Sequence, residues 1–179
     1  MNCKYFIALI PPGPVFSETE KIKSEISQKY DNKSALRSPS HITLHMPFEI
    51  KLEKEENLIQ KISEFKFSSV FNVHLKNFGC FEPKVIFIDV VQNEMLLLLQ
   101  KELVFHIKRN LNIFNQYEDI RGFRPHLTIA FRDLKKENFY AAYNEYKSKP
   151  FMEEFSVDSF FLLKHNGKRW DPFKQFPFK

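Results

Sequence analysis

The segments Ser40-His41-Ile42-Thr43-Leu44 and Pro125-His126-Leu127-Thr128-Ile129 share one pattern, in which a histidine and a threonine alternate with aliphatic residues. Successive side chains of a β-strand point to opposite faces, so each histidine shares a face with its threonine. The aliphatic residues then point the other way, into a core. An imidazole can transfer a proton, and a hydroxyl can donate a hydrogen bond to an oxygen. The repeat therefore predicts two half-sites on two strands that meet at one cleft.

The elements around the two segments follow the same order in both halves of the chain. Hydrophobic periodicity predicts alternating strands and helices in the first half: Tyr5–Ile10, Ser17–Tyr30 with Ser17 as its cap, a His–Thr strand that Pro47 ends, a helix with Leu58, Ile62 and Phe65 on one face, and Val70–Phe81. The second half repeats this order and adds a hairpin at Asn166-Gly167: Val85–Val91, Asn93–Lys108, the second His–Thr strand, Lys135–Lys147, Phe155–Leu163, and a last strand through Trp170.

This repetition predicts an α+β fold built from duplicated strand–helix–strand–helix–strand units. We expect a single bilobal domain over residues 1–179, with one lobe over about residues 1–82 and the other over about 83–179. A pseudo-twofold axis would relate the lobes and bring the two His-x-Thr strands to a central cleft. The pattern leaves open whether the lobes exchange strands.

The composition is typical of a folded cytoplasmic domain. The chain has 179 residues, of which 43% are hydrophobic, and this is enough for a core. No apolar run approaches the roughly 20 residues that cross a bilayer. The first residues lack a signal-peptide pattern, and Cys3 and Cys80 form no spacing motif. We therefore expect a cytoplasmic protein with no membrane contact, no obligate protein partner and, by default, a monomeric state.

Positive charge weakly favours an anionic partner such as a phosphorylated ligand or RNA. The net charge is +5 and the isoelectric point is near 9.1, but the lysines are spread along the chain as surface lysines are. A guanidinium group suits phosphate oxygens, so arginines near the repeated segments are more informative. Four arginines lie within a few residues of a His–Thr unit: Arg37, Arg121, Arg124 and Arg132.

The chain resembles the two-histidine (2H) phosphoesterase superfamily, which includes 2′-5′ RNA ligase-like and cyclic phosphodiesterase proteins. The resemblance lies in His41-Ile42-Thr43-Leu44, in the segment from Phe123 to Ala130, and in the order of the surrounding elements. It implies a phosphoesterase that acts on a 2′,3′-cyclic phosphate or a 2′-5′ phosphodiester of RNA or nucleotides, with reverse RNA ligation as a further activity. The implied partner is a nucleotide or RNA end that bears a cyclic phosphate. Many relatives have an arginine where this chain has Phe131, which Arg132 follows.

Phosphodiester cleavage needs a general base, a general acid and stabilisation of charge on the phosphoryl group. A histidine side chain has an ordinary pKa near 6.5, so one imidazole can be neutral while its partner is protonated. We therefore expect His41 and His126 to act as the base and the acid, in an order that the sequence does not assign. The hydroxyls of Thr43 and Thr128 can donate to the non-bridging oxygens. This chemistry requires no cofactor and no metal.

Further side chains near the segments are candidates for binding the substrate. Arg124 and Arg121 could contact phosphate, and aromatic faces bind nucleobases with little sequence preference. The aromatic candidates are Phe48, Phe81, Phe123 and Trp170, with core packing as the alternative for each. His45 shares a face with His41 if the strand stays regular; otherwise it lies past the strand edge, exposed to solvent. His41 and His45 would form a zinc motif only on a helix, and the expected strand argues against one.

Two other classes of function compete with this interpretation. The first is a non-catalytic nucleotide- or RNA-binding module on the same fold, which the two intact motifs disfavour. The second is a metal-dependent hydrolase, which lacks a carboxylate-rich motif in this sequence. Within the enzyme class, the motifs do not separate a ligase, a cyclic phosphodiesterase and a 3′-end exonuclease.

Overall fold

One antiparallel sheet organises this computed structural model, which describes residues 1–115 and 122–179. Within those ranges the strands are β1 (Asn2–Leu9), β2 (Ile42–Lys51), β3 (Phe71–Phe81), β4 (Val85–Val90), β5 (His126–Ala130), β6 (Met152–Val157), β7 (Ser159–His165) and β8 (Trp170–Pro177). Their order in the sheet is β6-β3-β4-β5-β2-β1-β7-β8. The two His–Thr segments therefore lie on neighbouring strands at the centre of the sheet.

The described helices pack together with one face of this sheet. They are α1 (Gly13–Tyr30), α2 (Glu55–Ser63), α3 (Glu94–Leu111) and α4 (Lys136–Tyr146), with short 3₁₀ turns at Ser34–Arg37 and Leu52–Lys54. Each helix buries an apolar stripe with helical spacing, and these stripes form one core with the strand residues facing them. The predicted α+β class is confirmed. No described helix combines the length with the apolar character that a bilayer crossing requires.

The sheet curls, because a single residue joins strands that lie far apart in its order. Asp158 alone separates β6 from β7, although five strands lie between them in the sheet. The N–H of Phe178, beyond β8, also donates to the carbonyl of Asp158 at 2.8 Å. The two edge regions must therefore approach each other. The single strand predicted over Phe155–Leu163 is wrong, since the chain passes from one edge region to the other at Asp158.

Each half of the sheet combines strands from both halves of the chain. β3 pairs with β4 and β6, whereas β7 and β8 extend the sheet beyond β1. A division of the sequence near residue 82 therefore does not divide the sheet, and strands are exchanged between the two sequence halves. The repeated units are β1–α1–β2 and β4–α3–β5. Their last strands, β2 and β5, lie side by side.

Several predicted element boundaries differ from the structure, two of them for clear local reasons. α1 begins at Gly13 rather than at Ser17, because a proline in the first turn, Pro14, is compatible with helix entry. β2 does not end at Pro47 but continues to Lys51. β2 is bonded to β5 only near Ile42, so the later residues of β2 pair with β1 alone. A proline is tolerated in a strand that has an unpaired side.

Candidate active site

The pairing of β2 with β5 brings the two His–Thr segments together. Ile42 lies opposite Leu127, and both side chains are fully buried in the main core. In an antiparallel pair this register sets His41 across from Thr128 and Thr43 across from His126. All four polar side chains are half-buried and lie on the face opposite the main core. The four residues selected from the sequence thus form one compact group on the helix-free face.

Each histidine ring is held by the same local hydrogen bond. Nδ1 of His41 lies 2.6 Å from the carbonyl oxygen of Pro39, and Nδ1 of His126 lies 2.7 Å from that of Arg124. A carbonyl oxygen only accepts, so Nδ1 must carry the hydrogen in both rings. The bond fixes the orientation of each imidazole and leaves its Nε2 for proton exchange.

The His41 ring packs against an apolar cluster on the helix-free face. Phe6 packs against it with ring centroids 4.8 Å apart, and Trp170 meets Phe6 edge-on at 4.8 Å. They belong to a small cluster on this face, separate from the main core: Phe6, Ala8, Ile10, Phe161, Leu163 and Trp170. Burial is the main reason why the pKa of His41 is lowered to about 4. The positive charges of Lys23 and His126 act in the same direction.

The His126 ring lies among aromatic and charged side chains. Phe81 and Phe87 pack against it at centroid distances of 5.2 and 5.1 Å, and the Arg124 guanidinium lies over both phenyl rings. Asp89 lies opposite His126 in the sheet and pairs with Arg124 at 3.8 Å. Burial lowers the pKa of His126 and so does Arg124, while the hydrogen bond to the Arg124 carbonyl and the Asp89 carboxylate oppose the shift.

A glycine makes room for the Phe87 ring beside His126. Gly79 lies opposite Phe87 on β3, and a Cβ at this position would lie 2.5 Å from the ring atom Cε2. Phe87 is fully buried, so the ring has little room to move away. The sequence pattern did not indicate that Gly79, Phe6 and Phe87 are site residues. Both phenylalanines stand in apolar strands with two buried faces, where periodicity does not show which face a side chain occupies.

The predicted substrate-binding residues divide between the two faces of the sheet. Phe81, Arg124 and Trp170 lie on the helix-free face, near the histidines. Phe48 and Phe123 instead pack against the main core, and Phe48 lies opposite Tyr5 with its ring stacked at 6.0 Å. The structure therefore does not bring these two aromatic residues to the site. Arg121 lies outside the described residues.

His45 lies on the core side, because β2 is not regular. Ala8 pairs with Thr43, but the next residue pair is Ile7 with His45, so one extra residue of β2 is inserted between them. Such a bulge reverses the face of the side chains beyond it. His45 is fully buried opposite the core residue Ile7, and its Nδ1 lies 2.8 Å from the carbonyl of Met46. His45 therefore neither lines the cleft nor lies exposed past the strand edge, and both expectations are corrected.

Within residues 1–115 and 122–179, no three His, Cys, Asp or Glu side chains are grouped so that they could hold a metal ion. The charged side chains nearest the pair are Lys23 and Glu20 on the His41 side, and Asp89 and Arg124 on the His126 side.

The protein thus has a curled antiparallel sheet, and each of its two central strands carries a histidine–threonine pair. The chain belongs to the 2'-5' RNA ligase superfamily, whose profile matches residues 11–169, and this confirms the resemblance found in the sequence. A Bacillus anthracis protein with a provisional phosphoesterase name is 30% identical over 141 residues, or 77% of each chain.

Two solved structures show that the fold is shared with more distant proteins. Escherichia coli LigT, crystallised with 3'-AMP, aligns with a TM-score of 0.70 at 20% identity, over 100% of this chain and 99% of LigT. A Thermus thermophilus protein aligns with a TM-score of 0.68 at 19% identity, over 97% of both chains.

Proposed function

We propose that this protein is a phosphoesterase that hydrolyses a 2′,3′-cyclic phosphate or a 2′-5′ phosphodiester of RNA or nucleotides by paired-histidine catalysis. The observation that carries the proposal is the placement of His41 and His126. They lie on adjacent strands and on one face, and each has Nδ1 bonded to a carbonyl so that Nε2 is left for the substrate. Two imidazoles held this way can serve a single phosphate as base and acid.

The reaction follows from the two free ring nitrogens. One imidazole, in its neutral form, removes a proton from water at Nε2 while the water oxygen bonds to phosphorus. The bond from phosphorus to the leaving ribose oxygen breaks, and the second imidazole donates its Nε2 proton to that oxygen. The products are a phosphomonoester and a free hydroxyl. The hydroxyls of Thr43 and Thr128 donate to the non-bridging oxygens, where charge develops.

The bound phosphate also favours the protonated form that the general acid needs. Burial lowers the pKa of both histidines, which favours neutral rings in the free protein. An anion within about 4–6 Å favours the protonated form of an imidazole, so substrate binding raises these pKa values. The proton of the general acid is therefore stabilised when the phosphate is in place.

The surroundings support a nucleotide as the phosphate carrier. Arg124 presents a guanidinium beside His126, and Trp170 is a half-buried aromatic ring on the opposite side of the site. A guanidinium suits a phosphate oxygen and an indole can stack on a nucleobase. LigT, which shares the fold, was crystallised with a nucleotide, 3'-AMP.

The test is hydrolysis of 2′,3′-cyclic AMP and of a 2′-5′-linked diadenylate in the presence of excess chelator. We expect turnover by the wild type and a loss of roughly 10²–10⁴-fold in kcat for His41→Ala and for His126→Ala. His74→Ala is the matched control, because His74 is an exposed strand histidine paired with Glu154. Unchanged activity in both site variants would overturn the mechanism. Binding of 3'-AMP without turnover of either substrate would instead favour the non-catalytic binding module.

A further inference from the structure

The mechanism makes no use of a buried lysine on α1, directly behind the first histidine. Lys23 is 1% exposed and lies in the buried row that also contains Thr19, Ile26 and Tyr30. An ammonium group that leaves water needs close partners. Nζ of Lys23 donates to Oε1 of Glu20 at 2.7 Å and to the carbonyl oxygen of Ser38 at 2.7 Å.

The same glutamate holds the other end of the segment that leads into His41. Oε1 of Glu20 accepts from the backbone N–H and from the hydroxyl of Ser40, each at 2.7 Å. Ser40 is itself buried. The ion pair therefore fixes both ends of the tripeptide Ser38-Pro39-Ser40. The middle carbonyl of this tripeptide, that of Pro39, is the acceptor for Nδ1 of His41.

The second histidine has the same ring bond, but the ion pair beside it is exposed. Its nearest charged neighbours are Asp89 and Arg124, whose side chains are 44% and 58% exposed and 3.8 Å apart. The charged groups acting on His41 are Lys23 and Glu20 from α1 and His126 from β5. Each ring thus has a cation and a carboxylate near it, but the cation near His41 is buried, whereas both groups near His126 are exposed. Because water screens the exposed pair, the charges disfavour a protonated ring more strongly at His41 than at His126.

We infer that Lys23 is a positioning residue: together with Glu20 it fixes the Ser38–Ser40 tripeptide that orients the His41 ring, and its charge adds to burial in disfavouring a protonated ring, so that His41 is the general base and His126 the general acid. This assignment of roles rests on the proposed function. The hold on the His41 ring does not, because it is a property of the protein without substrate.

Two variants, each of which removes one charge of the ion pair, should shift the pKa of His41 in opposite directions. Lys23→Met removes the positive charge while it keeps a long apolar side chain, so we expect the pKa of His41 to rise by on the order of one unit. Glu20→Gln removes the negative charge while it keeps an oxygen acceptor for Ser40, and the pKa of His41 should fall. The matched control is Lys21→Met, an exposed lysine of the same helix. NMR titration of the histidine rings measures these shifts without substrate.

The pH dependence of kcat/KM then tests the role as base. A base works when it is deprotonated, so its pKa sets the acidic limb of the profile. This limb should move to higher pH in Lys23→Met, with activity recovering towards alkaline pH, and should stay in place in Lys21→Met. Where Lys23→Met does not fold, Lys23→Arg and Glu20→Gln carry the test: the first should leave the His41 titration near its wild-type position, and the second should lower it.

The outcomes separate the inference from the proposed function. The inference would be overturned if neither substitution in the ion pair shifted the His41 titration. It would also be overturned if kcat of Lys23→Met fell equally at every pH, since Lys23 would then have only a structural role. A shifted titration with an unmoved acidic limb would overturn the assignment of His41 as base. A wild type that hydrolyses none of the substrates would overturn the proposed function alone, since the titration still reports on the control of His41.

Discussion

The two central strands hold their histidines in the same way but surround them differently. On β2, the Lys23–Glu20 ion pair of α1 fixes the backbone before His41, and the ring packs against Phe6, which Trp170 meets edge-on. On β5, the ring of His126 rests on Phe81 and Phe87, with a half-exposed Arg124–Asp89 pair beside it. Both rings share the hydrogen bond from Nδ1 to a backbone carbonyl, which leaves Nε2 for proton transfer. The two rings differ in the side chains around them, and this difference can give one imidazole the role of base and the other the role of acid.

After the histidine variants, the largest expected effect tests the symmetric part of this comparison. Thr43→Val and Thr128→Val each remove one hydroxyl that donates to the phosphoryl oxygens while keeping the side-chain shape. We expect kcat to fall by roughly 10²-fold in each variant, with a much smaller change in KM. Steady-state kinetics on 2′,3′-cyclic AMP measures the effect, and a thermal melt shows that the fold is retained. If only one variant loses activity, the phosphate is not shared equally between the strands.

The next effect is specific to the β5 side. In Gly79→Ala the new Cβ would collide with the Phe87 ring, so the ring and the neighbouring His126 must shift. Overpacking of this kind costs typically about 1–3 kcal/mol of stability, and we expect kcat to fall with it. The matched control is Gly79→Ala combined with Phe87→Leu, which opens space for the methyl group. Failure of this pair to recover stability would show that the close approach is not what requires glycine.

An aromatic substitution on each face distinguishes the site from the core. Trp170→Ala should raise KM for a nucleotide substrate by about tenfold with little change in kcat, since base stacking is worth ~1–3 kcal/mol. Phe48→Ala should lower the free energy of unfolding and leave KM unchanged, because Phe48 stacks on Tyr5 in the core. Kinetics and chemical denaturation of both variants measure this. A KM effect at Phe48 would contradict its placement.

The smallest expected effect concerns the charge beside His126. The Asp89 carboxylate raises the pKa of His126, so Asp89→Asn should lower it. A general acid works while it is protonated, and its activity is lost as the pH rises through its pKa. The alkaline limb of the kcat/KM profile should therefore move to lower pH. Glu154→Gln, at an exposed carboxylate paired with His74, is the control. A limb that moves to higher pH would contradict the assignment of His126 as the acid.

Predictions from the sequence are correct where one local pattern decides the structure. Alternation in the His–Thr segments set both the strand and the face of each side chain, and the repeat brought the two strands together. Predictions from the sequence are wrong where contacts with neighbouring strands decide the structure. The bulge that turns His45 inward depends on the register with β1, and the break at Asp158 depends on the curl of the whole sheet.

The burial of Lys23 could have been predicted from its position in the helical pattern. It occupies a helical row with the buried residues Thr19, Ile26 and Tyr30, so its position predicts burial although its residue type does not. Its acceptor Ser38 lies in a loop 15 residues away in the sequence. Periodicity in the sequence does not show which loop carbonyl a helix face contacts. The contact of the ion pair with the segment before His41 could therefore be found only in the structure.

The central claim is that the imidazoles of His41 and His126 share one phosphate. NMR titration of the wild type with inorganic phosphate, followed at the ring signals of all histidines, tests this most directly. We expect the signals of both rings to change together, with one common Kd, and the signal of His74 to stay in place. A response of one ring alone, or two different Kd values, would show that the histidines serve separate sites and would contradict the account.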